Sequence, residues 1–157
     1  MKERLKAVPV VYLFLMKGDE ILLALRQNTG YMDGKWDVPA GHMKGNELPT
    51  EALIREVREE IGITISPRRI RLAHVSYRPK HNATGHRVDF YFFVEKWRGR
   101  IINTEPQKCA ELKWFRVDEL PRNMTPHVRR ALQDAWYDFK FSELGINWIK
   151  RRGLYQL

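Results

Sequence analysis

The sequence contains one cysteine, Cys109, and no apolar run of the ~18 residues that a membrane-spanning helix needs. A single thiol cannot close an internal disulfide, which excludes the small disulfide-stapled folds of secreted proteins. The N-terminal stretch also lacks the small-residue cleavage site of a signal peptide. These absences predict a cytoplasmic protein that has no membrane partner.

The length and the charge distribution narrow the class further. A chain of 157 residues is expected to form one domain, residues 1–157, which buries about two thirds of its unfolded surface. The formal net charge is +9, but residues 41–63 hold five glutamates against three basic residues, a net −2, which leaves +11 for the rest. An acidic segment inside a basic protein suits a polyphosphate substrate, because positive potential around a metal pocket raises the encounter rate.

Three of those glutamates, Glu56, Glu59 and Glu60, lie on a predicted helix that ends near Gly62. At about 100° per residue they share an arc of about 100°, so their charges repel unless a cation or an arginine lies between them. Oxygen ligands with room for water suit Mg²⁺ or Mn²⁺. Zinc is not favoured, because no histidine or cysteine stands at ligand spacing.

The rest of the same helix predicts how these acids are held. Arg55 flanks them and is expected to hold one carboxylate through a bidentate pair. An apolar stripe adjoins the acidic arc and is expected to face the core. The stripe consists of Leu53, Ile54, Val57 and Ile61. The acids therefore line a groove at the edge of the core.

The spacing of these residues resembles the Nudix box, which here consists of Gly41, Glu47, Arg55, Glu56, Val57, Arg58, Glu59, Glu60, Ile61, Gly62 and Ile63. The resemblance implies an α/β fold, the Nudix αβα sandwich, with a mixed β-sheet between helices. It also implies a metal-dependent hydrolase of nucleoside diphosphates linked to another group. By the same resemblance, Glu56, Glu59 and Glu60 belong to the metal site, close to the backbone of Gly41.

Features outside the box resemble the MutT-type branch of the family. Arg26 stands where those enzymes carry an arginine that reaches the nucleotide, and the alternative is a surface arginine. Glu105 resembles the loop glutamate of their metal shell, with Glu111 as the alternative. A proline-bracketed loop resembles the one that presents an asparagine to the base, but here Met124 stands at that place and Asn123 one residue earlier. This departure weakens a specificity for oxidised guanine.

Other residues are candidates for substrate contact and catalysis. Trp36 could stack on a base, or it could pack in the core as a tryptophan beside a strand usually does. Arg87 is a candidate ligand for a phosphate or a base. Glu56 or Glu59 is the expected acceptor of the water proton, with Glu105 as the alternative. Arg55, which orients the box acids, completes the catalytic set.

Hydrophobic periodicity predicts the order of the elements. Strands are expected at residues 7–16, 21–26, 70–77, 88–97 and 111–117, with a short extended stretch at 36–40. The box helix is expected to begin near Pro49 and to end at Gly62. A final helix is predicted over residues 125–141. This alternation of strands and helices is typical of an α/β domain.

The sequence thus predicts a magnesium-dependent hydrolase whose partner is a small nucleotide. The favoured substrate is a nucleoside triphosphate, ordinary or oxidised, cleaved to a monophosphate and pyrophosphate. ADP-ribose or a dinucleoside polyphosphate is the alternative, and Pro79 stands near a proline position of the ADP-ribose enzymes. A non-catalytic module that binds a nucleotide or RNA stays open as an alternative function. The basic clusters at 67–71 and 150–152 lack interleaved aromatic residues, and they therefore do not favour nucleic-acid binding. A homodimer also stays open.

Overall fold

The computed structural model describes residues 2–80 and 82–153. The strands are β1 Ala7–Lys17, β2 Glu20–Arg26, β3 Trp36–Asp37, β4 Ala40–His42, β5 Arg71–Arg78, β6 His86–Val94, β7 Cys109–Arg116 and β8 Phe141–Glu143. The helices are α1 Pro49–Ile61, α2 Pro126–Trp136 and α3 Ile146–Arg151, and a 3₁₀ turn, Pro67–Arg69, precedes β5. None of the helices in these residues is long and apolar enough to cross a membrane.

Strand β1 lies at the centre of a mixed sheet. The strands follow the order β3, β2, β1, β6, β5, β8, while β4 pairs with β1 and β7 pairs with β2. Strand β1 runs parallel to β6, from the pair Ala7 and His86 to the pair Leu15 and Val94. The pairing of β5 with β8 is also parallel, and the remaining pairings are antiparallel.

Alternate side chains of β1 contribute to two separate cores. Val11 and Leu13 pack in one core with Leu53 of α1. Phe14, on the opposite face, packs in the other core with Val128 of α2. Because successive strand side chains point to opposite faces, the sheet lies between α1 and α2. The predicted αβα sandwich with a mixed sheet is confirmed.

The sequence explains where α1 begins and ends. Pro49 occupies the first turn, where its missing N–H costs nothing. The backbone N–H of Leu48 donates to Glu51 Oε2 at 2.9 Å, which satisfies one of the donors that a helix start leaves open. Gly62 ends the helix in the left-handed region, at φ 72°. The predicted apolar stripe is buried, except that Ile54 is only half-buried.

The predicted final helix over residues 125–141 is wrong in its second half. Helix α2 ends at Trp136, and Asp138 takes a left-handed conformation at φ 63°, which a helix cannot continue through. The chain then forms β8, whose Phe141 pairs with Val75 of β5. Helix α3 follows, an element that periodicity did not predict. The other strand boundaries differ from the prediction by one to three residues.

Candidate active site

A cavity of about 550 Å³ lies beside β4 and the C-terminal end of α1. Six of the charged or small residues in its wall are Arg26, Asp37, Gly41, Glu60, Arg87 and Glu105. Strands β2, β3, β4 and β6, helix α1 and the connection between β6 and β7 supply them. The volume suits a small organic ligand. The cavity therefore brings acidic and cationic side chains together around one ligand-sized space.

Arg55 organises the acids that do not face this cavity. Its Nε and Nη2 donate to the two oxygens of Glu47, at 2.5 and 3.0 Å. Its Nη1 donates to Glu56 Oε1 at 2.6 Å and lies 3.3 Å from Glu59 Oε2. Hydrogen bonds from Arg55 lower the pKa of Glu47 to about 2. Arg55 thus holds three carboxylates, where the sequence predicted one.

Gly41 lets the Glu56 carboxylate lie against the backbone of β4. A Cβ at residue 41 would overlap the carboxyl carbon and both oxygens of Glu56. The close backbone approach expected at Gly41 is therefore present, and the Glu56 side chain fills the space. Only glycine leaves this carboxylate where it lies.

Glu60 and Glu105 are the acids that line the cavity wall. The Ala40 N–H donates to Glu60 Oε2 at 3.1 Å. The pKa of Glu60 is raised to about 8, mainly by burial and in addition by the negative charges of Glu56 and Glu105. Glu105 Oε1 in turn accepts a hydrogen bond from Lys108 Nζ at 3.0 Å. Negative charge is thus concentrated at this end of the cavity without full compensation.

The donor set at this end fits Mg²⁺ or Mn²⁺. Within residues 2–80 and 82–153, no three acid, histidine or cysteine side chains are placed to hold an ion as they lie. Arg55 contributes to this, because it draws Glu56 and Glu59 to itself. Glu60 carries a raised pKa that a nearby cation would lower, and carboxylates are the ligands these ions prefer. Glu56, Glu60 and Glu105 would hold the ion, with the half-exposed Glu59 at the outer edge.

The family of the chain follows from its match to known proteins. Residues 3–135 match the family model described as the NUDIX domain. This chain belongs to the NUDIX family. The family membership predicted from the residues between Gly41 and Ile63 is confirmed. NUDIX enzymes generally use divalent metal ions, which agrees with the donor set at Glu60.

Two curated relatives of this NUDIX chain are named NAD-capped RNA hydrolases. It is 30% identical over 129 residues to the NAD-capped RNA hydrolase NudC of Pectobacterium carotovorum, covering 81% of this chain and 46% of the relative. The NudC of Stutzerimonas stutzeri is 28% identical over 118 residues, covering 72% of this chain and 38% of the relative. The chain thus spans less than half the length of these curated relatives.

Two of the solved structures with the same fold are described as MutT proteins. The crystal structure of a MutT NUDIX hydrolase from Burkholderia pseudomallei matches with a TM-score of 0.74 at 26% identity, covering 82% of this chain and 97% of that one. The MutT protein from Methanosarcina mazei Go1 matches with a TM-score of 0.73 at 20% identity, over 87% and 98% of the two chains. The second match, at that identity, concerns the NUDIX fold alone.

Two predicted substrate residues, Arg26 and Arg87, line the NUDIX cavity. Arg26 donates from Nε to the Tyr31 carbonyl at 2.9 Å and from Nη2 to Thr29 Oγ1 at 3.1 Å. Arg87 is 8% exposed and donates from Nε to Thr84 Oγ1 at 3.1 Å. Both guanidinium groups are thus held by neighbouring loops at the cavity wall.

Three other predicted substrate residues lie outside the cavity wall. Trp36 is 8% exposed and packs edge-to-face on Phe115, with ring centroids 4.8 Å apart, so it belongs to the core. Met124 is 3% exposed and bridges to Trp36 in the same core. Asn123 is exposed, and its Nδ2 donates to the Gly34 carbonyl at 2.9 Å. Trp36 and Met124 therefore pack in the core, which for Trp36 was one of the two alternatives, and a contact of Asn123 with a base stays a prediction.

Among the polar residues of the NUDIX cavity that the sequence missed are Tyr12, Asp37 and His127. Tyr12 Oη lies 3.3 Å from His127 Nε2. Asp37 is 4% exposed, and its Oδ2 accepts a hydrogen bond from Thr125 Oγ1 at 3.1 Å. Burial raises the pKa of Asp37, and the charge of Arg26 opposes this. The sequence feature that could have pointed to Asp37 was its place as an acid within an otherwise apolar stretch. This feature by itself does not distinguish a buried acid from an exposed one.

We expect the stability of the metal-free protein to depend on pH through Glu60. Its carboxyl pKa is about 8 in the fold against an ordinary 4.5. Between pH 4.5 and about pH 8 the native state therefore binds more protons than the unfolded state. The free energy of unfolding falls as the pH rises through this range. Glu60→Gln removes this titration. With chelator present, the melting temperature of the variant should exceed that of the wild type most at about pH 8.5 and least at about pH 5. A difference that stays constant between these pH values would contradict the buried, uncompensated state of Glu60.

Proposed function

We propose that this chain hydrolyses a nucleoside triphosphate to a nucleoside monophosphate and pyrophosphate, with Mg²⁺ or Mn²⁺ as the cofactor. The observation that carries this proposal is the single cavity that holds Glu60 and Glu105 beside Arg26 and Arg87. The acids suit a divalent cation, while the arginines suit the anionic and polar groups of the nucleotide. The reaction breaks a phosphoanhydride bond with water.

The residues have separate tasks in this reaction. A divalent cation, when bound, would supply positive charge to the phosphates and would make the attacking water easier to deprotonate. Glu60 would hold the cation from the cavity wall, and Glu56, which lies against Gly41, would join it once its carboxylate turns from Arg55. Arg87 faces the substrate and offsets negative charge that grows on the phosphate oxygens. Water oxygen bonds to one phosphorus as the anhydride oxygen leaves with pyrophosphate.

The water proton must pass to a carboxylate. Glu56 and Glu59 both lie in hydrogen-bonding range of Arg55, and Glu59 is 50% exposed outside the cavity wall. Glu105 lines the cavity and is held by Lys108 at 3.0 Å. We therefore assign proton acceptance to Glu105, the loop alternative, ahead of the two box glutamates. The proton bound there returns to solvent after pyrophosphate leaves.

A second candidate function is cleavage of a pyrophosphate that bridges two nucleosides. The curated relatives favour it, since those at 28 and 30% identity are named NAD-capped RNA hydrolases. ADP-ribose and dinucleoside polyphosphates contain the same bridging bond. The metal site and the bond that breaks would be shared with the first candidate, and only the group beyond the phosphates differs. Cytoplasmic location suits either substrate class.

We expect nucleoside triphosphates to have a higher kcat/KM than ADP-ribose. The reason is that Arg26 lies in the cavity wall with Glu105, the arrangement that resembles the MutT-type branch. A panel with Mg²⁺ should contain the four nucleoside triphosphates, an oxidised guanosine triphosphate, ADP-ribose, a dinucleoside polyphosphate and NAD-capped RNA. Initial rates over a range of substrate concentration separate KM from kcat.

The panel has two outcomes that would revise the proposal. If ADP-ribose, the dinucleoside polyphosphate or NAD-capped RNA exceeds every triphosphate by about tenfold in kcat/KM, the second candidate replaces the first. If no compound is cleaved with either metal, both hydrolase candidates fail and a nucleotide-binding role remains. A catalytically inactive preparation is recognised by its failure to bind Mn²⁺.

A further inference from the structure

The segment that follows α2 lies beyond the residues that match the family model. The family match ends at residue 135, whereas β8 and α3 occupy residues 141–151. Strand β8 extends the sheet beside β5, with Tyr77 opposite Glu143, and the Leu144 N–H donates to the Tyr77 carbonyl at 2.9 Å. The sheet edge thus fixes where α3 begins. We call β8 and α3 together the C-terminal brace.

Helix α3 packs on the loop that follows β2. Ile149 is fully buried and Leu144 is 3% exposed. Together with Trp148 they form a small apolar cluster whose other members are Tyr31 and Met32, in that loop. This cluster is separate from the two main cores. The C-terminal brace therefore covers the loop directly.

The covered loop, residues 27–34, has an unfavourable backbone. Asn28 and Met32 take left-handed conformations, at φ 54° and 53°, and two glycines, Gly30 and Gly34, are also left-handed at 77°. This left-handed conformation is unfavourable for a residue with a Cβ, and methionine has no side-chain oxygen whose hydrogen bond could offset the free-energy cost. Packing of Met32 in the apolar cluster supplies the missing stabilisation. Without α3, this loop would lose its main apolar contact.

The same loop holds Arg26 in the cavity. The Tyr31 carbonyl accepts from Arg26 Nε at 2.9 Å, and Thr29 Oγ1 accepts from Nη2 at 3.1 Å. The guanidinium carbon lies 5.8 Å from the centroid of the Tyr31 ring. Its Nη1 lies 3.6 Å from Asp37 Oδ2. Arg26 and Tyr31 both line the cavity, so the conformation of the loop decides where two wall residues lie.

We propose that the C-terminal brace positions Arg26 and Tyr31 for substrate binding, and that Ile149 is a positioning residue for the reaction. The inference rests on the proposed function, because Arg26 is taken to contact the nucleotide. Ile149 touches the loop and not the acids at Glu60 and Glu105. Its loss therefore weakens substrate binding while the catalytic end of the cavity keeps its arrangement.

The test is Ile149→Ala in the full chain. We expect KM for the preferred triphosphate to rise by about tenfold or more, with kcat within about twofold of the wild type. We also expect amide hydrogen exchange in residues 29–32 to quicken by at least about tenfold, because the loop opens more often. Phe139→Ala is the matched control, since Phe139 is 63% exposed and precedes the C-terminal brace, and it should change neither quantity. Ile149→Val should restore most of the wild-type behaviour.

A double-mutant cycle distinguishes positioning from general destabilisation. If the brace acts through Arg26, Ile149→Ala should add little to KM in an Arg26→Ala background. The inference would be overturned by additive effects of the two substitutions on KM or by an unchanged KM in Ile149→Ala. Equal losses of kcat in Ile149→Ala and Arg26→Ala would also overturn it. Trp148→Ala, in the same cluster, provides the test if Ile149→Ala does not fold, and the same outcomes apply.

The exchange measurement separates this inference from the proposed function, because it needs no substrate. If no triphosphate is cleaved by the wild type, the proposed function fails, and faster exchange at residues 29–32 in Ile149→Ala still supports the brace. If triphosphates are cleaved but exchange in the loop is unchanged, the brace is wrong and the proposed function stands.

Discussion

Glu60→Gln is expected to lower kcat by at least about a hundredfold, because it removes one charge from the ligands of a cation that stabilises the transition state by several kcal/mol. Glu60 lines the cavity, and its pKa of about 8 reflects burial beside other carboxylates. The amide keeps the size of the side chain and relieves repulsion in the metal-free protein, so the fold should persist. Steady-state kinetics with saturating Mg²⁺ measure the loss.

Glu111→Gln is the matched control for this change. Glu111 was the alternative to Glu105 as an added metal ligand, and it is exposed and absent from the cavity wall. Its kcat should stay within about twofold of the wild type, as is usual for surface positions. Near-normal kcat in Glu60→Gln, after chelator treatment and return of the metal, would remove Glu60 from the site.

Gly41→Ala is expected to lower kcat by a similar factor, although it changes no charged group. The new methyl group would occupy the space of the Glu56 carboxylate, so that side chain must move away from β4. The side chain has a flexible end, and the loss of stability should therefore be only about 1 kcal/mol, the size of one hydrogen bond. Activity and melting temperature together distinguish displacement of Glu56 from unfolding.

Gly45→Ala, in the loop that follows β4, is the control, because no atom lies within 4 Å of where its Cβ would be. It should leave kcat close to the wild-type value. A second check combines Gly41→Ala with Glu56→Gln. If the methyl group acts by moving Glu56, the double variant should be little worse than Glu56→Gln alone. Fully additive losses would show that Gly41 acts by another route.

The parts that local spacing determines could be predicted from the sequence. Helix α1 has its proline at the start and its glycine at the end, and its buried stripe recurs at helical spacing, so each feature depends on residues only a few positions apart. The αβα arrangement followed from the family that these residues identify. Arg55 was assigned to carboxylates for the same local reason, though it holds three of them.

The cavity wall could not be predicted in the same way, because distant strands build it. Glu59 and Glu60 are neighbours in sequence, yet only Glu60 lines the cavity, since β4 and Glu105 approach one side of the helix. Trp36 was left open between stacking on a base and packing in the core, and it packs on Phe115 of β7. Asp37, one residue further, points the other way into the cavity. A helical wheel shows which residues share a face of the helix, but not which strands or loops pack against that face.

The C-terminal brace was missed for a related reason. Its strand has three residues and pairs in parallel with β5, a contact between segments more than 60 residues apart. Short strands of this kind carry almost no periodicity. The predicted helix over residues 125–141 ran through Trp136 because the sequence there stays apolar, and the left-handed turn at Asp138 is not encoded by a glycine. Tertiary pairing overrode the local preference.

The central claim is that this chain uses a divalent cation to cleave a phosphoanhydride bond. The most direct measurement removes metal from the wild-type protein with a chelator, supplies a nucleoside triphosphate, and identifies the products by chromatography before and after metal is returned. We predict no turnover in chelator, and equal amounts of nucleoside monophosphate and pyrophosphate once Mg²⁺ or Mn²⁺ is added. Turnover that continues in chelator, or release of orthophosphate and a diphosphate, would contradict the account.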